Sequence, residues 1–122
     1  MDINDVIEMF CDITGVPAED LPYGQLILNG IKLVRSRLCV PESDIDVTGI
    51  RCCEFAAAAS AAYEYACIKA AEERPVMSEN GRVSISRDFP EFVSNMKKLR
   101  DSAFEVLSAA RLTGGGFAFT AV

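Results

Sequence analysis

Apolar residues along this chain recur mostly at helical spacing. Ile3, Val6, Ile7, Phe10 and Cys11 share one face of a first helix that Asp2 can cap and that Gly15, with Pro17 close behind, can end. After a connector over residues 16–20, Asp20 and Pro22 mark a second start. The stripe Tyr23, Ile27, Ile31, Val34 and Leu38 predicts a helix over residues 22–38, with Gln25, Asn29, Lys32 and Ser36 opposite. Gly30 inside it costs ~1 kcal/mol relative to Ala, which either a close helix crossing or simple tolerance would explain. Pro41 then breaks the helix, and Ser43 or Asp44 is available to cap the next.

The stretch that organises the chain covers residues 46–74. Its centre, Phe55-Ala-Ala-Ala-Ala-Ser-Ala-Ala-Tyr63, carries no charge on any side, while Arg51 and Glu54 precede it and Glu64, Lys69, Glu72, Glu73 and Arg74 follow. Alanine is the best helix former, so one long helix is predicted, with Gly49 leaving its first turns uncertain. A helix apolar all round over more than two turns is enclosed by neighbours, from its own chain or from another subunit.

Beyond Pro75 the period changes. Residues 76–79 and 82–86 flank Asn80-Gly81, a dipeptide whose two positions both accept positive φ, which predicts a small β-hairpin over residues 76–87. A lone two-stranded hairpin is marginal in water, so it should lie on the helices or be completed by a partner. Asp88-Phe-Pro-Glu91 then signals the start of the last helix. Its predicted core face is Phe92, Met96, Leu99, Ala103, Val106, Leu107 and Ala110, opposite Lys97, Lys98, Asp101, Glu105 and Ser108. Val93 and Phe104 fall on the shoulder, to cover the hairpin or to face a neighbouring subunit. Thr113-Gly-Gly-Gly116 reads as a joint before an uncharged tail in which Phe117 and Phe119 stand at strand spacing. That tail suits either a docking arm or an ordinary frayed end.

The pattern therefore gives a mainly α fold: a four-helix bundle-like domain over residues 1–112, with a long central alanine-rich helix, a hairpin before the last helix and a glycine-jointed tail over residues 113–122. At 122 residues, half of them apolar, one domain is expected. Twelve Lys plus Arg against 18 Asp plus Glu give a net charge of −6, which argues against gripping nucleic acid through its phosphates. Lys32, Arg35 and Arg37 form the one dense basic patch and read as a solvated helix end rather than an anion site.

Cys11, Cys39, Cys52, Cys53 and Cys67 are odd in number, and the chain shows no signal peptide and no run of membrane-spanning length, which fits a reducing cytosol. Without histidine, and without cysteines at zinc-ribbon spacing, no metal or other cofactor is expected. Neighbouring Cys52 and Cys53 point about 100° apart on a helix and read as small packing residues. The glycine triplet lacks the Lys-Ser/Thr ending of a P-loop.

Three stretches carry a family resemblance. Ala59-Ser-Ala-Ala-Tyr-Glu-Tyr-Ala66, Asn80-Gly-Arg-Val-Ser-Ile-Ser86 and Met96-Lys-Lys-Leu-Arg-Asp-Ser-Ala103, with a helix from Gln25 to Leu38 in a similar position, resemble the head-tail connector (head completion) proteins of tailed bacteriophages and prophages. The resemblance implies a non-enzymatic structural protein that forms a homo-oligomeric ring at the portal. DNA would pass through the ring without specific binding, and portal and tail-completion proteins would be its partners, with no membrane involved. It also implies assembly in the bacterial cytoplasm and, if phage-encoded, a place in the virion. On that reading Ala58, Ala61, Tyr65, Val93 and Phe104 are candidate interface residues, and Asn80, Gly81, Arg82, Phe117 and Phe119 candidate docking residues. The start of the central helix and the aromatic tail depart from the family pattern.

The same residues permit a helical adaptor or regulator that binds another protein through its apolar belt. A DNA-binding helical domain is disfavoured by charge. An enzyme would need an acid-base or nucleophile constellation, which scattered carboxylates without histidine do not supply.

Overall fold

A computed structural model describes residues 1–20, 22–72, 76–77, 83–84 and 88–114, and within these the protein is mainly helical. The helices are α1 (Ile3–Thr14), α2 (Gly24–Arg37), α3 (Val47–Glu72) and α4 (Asp88–Ala109), with single 3-10 turns at Ala18–Asp20 and Glu42–Asp44. Two-residue strands, β1 (Val76–Met77) and β2 (Val83–Ser84), pair antiparallel. The turn predicted at Asn80-Gly81 lies outside the described residues.

Local signals account for most of the helix ends. The Asp2 carboxylate accepts from the Asn4 N–H at 2.9 Å, and Gly15 adopts φ 77°, where its N–H reaches the Cys11 carbonyl at 2.8 Å. α2 begins two residues later than Pro22, at Gly24, and Tyr23 provides no side-chain cap. The cap of α3 is neither Ser43 nor Asp44, because both belong to the preceding 3-10 turn. Asp46 takes the role: its carboxylate accepts from Gly49 N–H at 2.7 Å and its carbonyl from Ile50 N–H at 2.9 Å, so the first turn holds despite the glycine.

The core is built on α3. At 26 residues it is about 39 Å long, and α1, α2 and α4 all pack against it while α1 and α2 touch each other only lightly. Ala56, Ala57, Ala58, Ala59, Ala61 and Ala62 are all 0% exposed. Their small side chains let the surrounding helices close in, and the bulk comes from outside: Phe10, Ile27, Val34, Phe104 and Leu107. At Gly30 an added Cβ would stand against the Ala57 carbonyl oxygen, so of the two explanations for this glycine the close crossing is the one that holds. Beyond the belt, Phe10, Tyr23, Tyr65 and Phe92 form a chain of edge-on and tilted ring contacts with centroids 4.9 to 6.3 Å apart. Lys69 lies over the Tyr23 and Tyr65 rings, and its ammonium is held above the ordinary lysine range first by the Tyr23 hydroxyl and then by Glu72.

Candidate functional site

The belt is the interior of this chain and not a free face. Ala58 and Ala61 are fully enclosed, and Phe104, expected on a shoulder, is 1% exposed. These three interface candidates therefore have no surface to offer a second copy, since α1, α2 and α4 already cover α3 there. Tyr65 is half-buried in the aromatic chain and Val93 is half-buried on α4. Asn80, Gly81, Arg82, Phe117 and Phe119 lie outside the described residues.

What replaces Phe104 on the shoulder is Val106, expected in the core but 50% exposed. The buried face of α4 centres on Ala103, Phe104 and Leu107, a rotation of roughly 50° from the predicted stripe at 100° per residue. Leu99 and Met96 are half-buried, and Ala110, just past the end of the helix, is exposed. The apolar stripe is thus wider than the core that covers it.

The uncovered edge meets a second one on α3. Thr48, Cys52 and Phe55 line an open groove with Ser102, Ala103 and Val106, whose walls are almost wholly apolar, and Arg51 stands at its margin. Val47, at the start of α3, is 79% exposed. Relative to Ala57, where α2 crosses, Phe55 and Thr48 lie about 160° and 180° around the α3 axis. The groove therefore opens on the side of α3 away from α2. A further hollow, lined by Asp46, Thr48, Cys52 and Leu112, continues from it at the end of α4.

Polar groups cluster on the other flank of the α3 start. Glu54, 1% exposed, accepts the Asp2 main-chain N–H on Oε2 at 2.8 Å, while its Oε1 has no partner among the described residues. It adjoins a shallow hollow shared with Asp2, Asp5 and Ile50. The Glu42 carboxylate binds the Met1 ammonium at 2.9 Å and Arg35, and these two hold it below the usual glutamate range, the ammonium most of all. Of the basic patch expected to be solvated, Lys32 is exposed to solvent, Arg35 is engaged by this carboxylate and Arg37 is half-buried. Sequence reasoning missed Glu54: its neighbours Cys53 and Phe55 give no sign that a carboxylate would be drawn inside.

All five cysteines are free thiols. Cys53 is buried and Cys52 half-buried in the groove, while Cys39 is exposed. Burial pushes the Cys53 thiol up to about 11, which makes it a packing residue and not a nucleophile. No group of His, Cys, Asp or Glu among the described residues could hold a metal ion, and no described helix is long and apolar enough to cross a membrane.

Compared with known proteins, the chain matches no family model, no curated protein and no solved structure.

Proposed function

We propose that this chain is a structural subunit of the head-tail connector type, whose copies assemble into a ring for DNA passage and tail docking. The observation that carries the reading is the apolar groove between α3 and α4, flanked by the exposed Val47 and Val106. A small helical domain that has enclosed its most apolar segment still leaves large side chains along one seam, and such seams mark association surfaces. In this reading the seam takes over the role first assigned to the alanine belt.

A net charge of −6 supports a ring that lets DNA slide through without arresting it. The segment over residues 76–87, where the sequence predicts a hairpin, would be the docking element toward portal or tail proteins. The subunit assembles in the bacterial cytoplasm and, if phage-encoded, is carried in the virion. An adaptor working through its belt is less well supported, because Ala58 and Ala61 are inaccessible.

Light scattering coupled to size exclusion tests the proposal. A mass of many chains with no salt-sensitive DNA binding is expected, and a single-chain mass at the highest attainable concentration rejects it. Capsid and tail genes beside the coding sequence would corroborate the phage setting independently.

A further inference from the structure

The end of α4 lies against the start of α3. Leu112 packs on Gly49, and with Ala110 it lines the hollow that also takes in Thr48 and Cys52. Those last two residues line the apolar groove as well, so hollow and groove form one furrow that begins where α4 ends. The exit of the chain is fixed beside it. Cys39 N–H meets the Leu112 carbonyl at 2.8 Å, Leu38 and Thr113 form a β-bridge, and Gly114 follows directly.

We infer that residues 117–122 fold back into the groove of their own chain and close it. This inference rests on the ring reading above, and it makes the seam a surface that a neighbouring copy gains only by displacing the tail. Length permits the closure. Ala110, Val106 and Ser102 stand on successive turns of α4, which puts the far end of the groove ~12 Å from the hollow. From Gly114 an extended chain reaches ~10 Å at Phe117 and ~17 Å at Phe119. Only Gly115 and Gly116 intervene before Phe117, and both accept the positive φ that a reversal over the helix end requires.

The groove also has the right size and character. It holds about 370 Å³ between almost wholly apolar walls, and ~150 Å³ is enough for an apolar cavity to take one benzene ring. Residues 117–122 bring two rings and no charged side chain. In an extended segment Phe117 and Phe119 project to one side ~6.6 Å apart, close to the ~6 Å that separates Ser102 from Val106 along α4. A short tether decides whose tail binds. It gives the attached segment an effective concentration on the order of 1 mM, so at micromolar chain concentrations the groove meets its own tail far more often than a neighbour's. For a contact of ~1 mM strength, about half of the chains are then closed.

Two measurements test the closure, with circular dichroism as the fold control. In the first, Cys39→Ser with Phe119→Cys is oxidised in a dilute glutathione buffer and its disulfides are mapped by peptide mass spectrometry. A bond from position 119 to Cys52 of the same chain is expected, formed faster in buffer than in urea, while Cys11 and Cys67, which do not line the groove, stay unpaired. Phe117→Cys in the same background serves as a second probe. In the second measurement, the full chain and a chain cut after Gly114 are compared by Cys52 alkylation and by light scattering over a range of concentrations. The cut should speed Cys52 about twofold, leave Cys11 and Cys67 at their former rates, and lower the concentration of assembly about twofold.

Disulfides that join only two chains, or that form no faster in buffer than in urea with either probe, overturn the closure. So does a Cys52 rate that the cut leaves unchanged. The ring reading is judged separately. A cut chain that assembles keeps that reading even where the closure fails, whereas a single-chain mass for both chains removes the ring and leaves a bond to Cys52 within one chain as evidence of closure.

Discussion

Two segments of α3, joined without a break, meet opposite fates. From Ala56 to Ala62 every residue is buried, whereas over residues 47–55 only Cys53 and Glu54 are, with Val47, Thr48 and Arg51 exposed and Cys52 and Phe55 half covered. The difference follows from side-chain size. Alanines let α1, α2 and α4 approach from three sides until no solvent remains, and a single glycine on α2 brings backbone against backbone. Where Phe55 and Arg51 project, the enclosing helices stand apart and an apolar seam is left between α3 and α4. One helix is thus core at its centre and surface at its start, and small residues, which look least informative, mark the core.

Charge placed in the two segments should separate them most sharply. Ala58→Glu puts a carboxylate where nothing can solvate it, and a loss of more than ~4 kcal/mol, seen as loss of the cooperative thermal transition, is expected. Val106→Glu should stay within ~0.5 kcal/mol of the parent in a dilute denaturation curve. Equal effects would erase the distinction. Truncations come next: Leu107→Ala should cost ~2–5 kcal/mol in urea unfolding. Leu99→Ala, half-buried, should cost less than half as much, and a reversed order would restore the predicted stripe.

Gly30→Ala sets an overpacking penalty of ~1–3 kcal/mol against a helix-propensity gain of ~1 kcal/mol, so a net loss of up to ~2 kcal/mol is expected. A stabilised variant would show that the crossing is loose. The smallest effect is chemical. At pH 8 Cys39 should alkylate at once, and Cys53 only as the domain opens, as mass spectrometry of timed samples would show. Because the Cys53 value is raised in the fold, its contribution to stability is complete below pH 9.0 and lost as pH climbs toward about 11.

The alternation of stripes made the four helices legible, because capping chemistry at Asp2 and Gly15 and the apolar spacing on α2 are local properties. The crossing at Gly30 was legible only as one of two explanations, since tolerance accounts for a mid-helix glycine as well, and the contact with Ala57 decides between them. The rotation of α4 was not. Val106 and Leu107 are equally apolar neighbours about 100° apart, and only the position of α3 decides which faces inward. The belt was read correctly as enclosed, but its encloser was not identifiable, since neighbouring helices of one chain and a second subunit impose the same pattern. Asp46 was overlooked as a cap because Ser43 and Asp44 offer an acceptor oxygen three and two residues earlier, and their consumption in a 3-10 turn is a tertiary outcome.

The short bridge between Leu38 and Thr113 has a mechanical consequence. A helix pulled from its own end unravels one hydrogen bond at a time, which takes little force. Here a pull on anything beyond Gly114 reaches α4 only after the pairing of Leu112 and Thr113 with the end of α2 has been broken. Thr113 is itself 3% exposed, so it must be drawn out of the domain before α4 is loaded. Tension on the tail is thereby passed to the junction of α2 and α4 at the base of the bundle. The point where the chain leaves the domain is therefore its anchorage instead of its loose end.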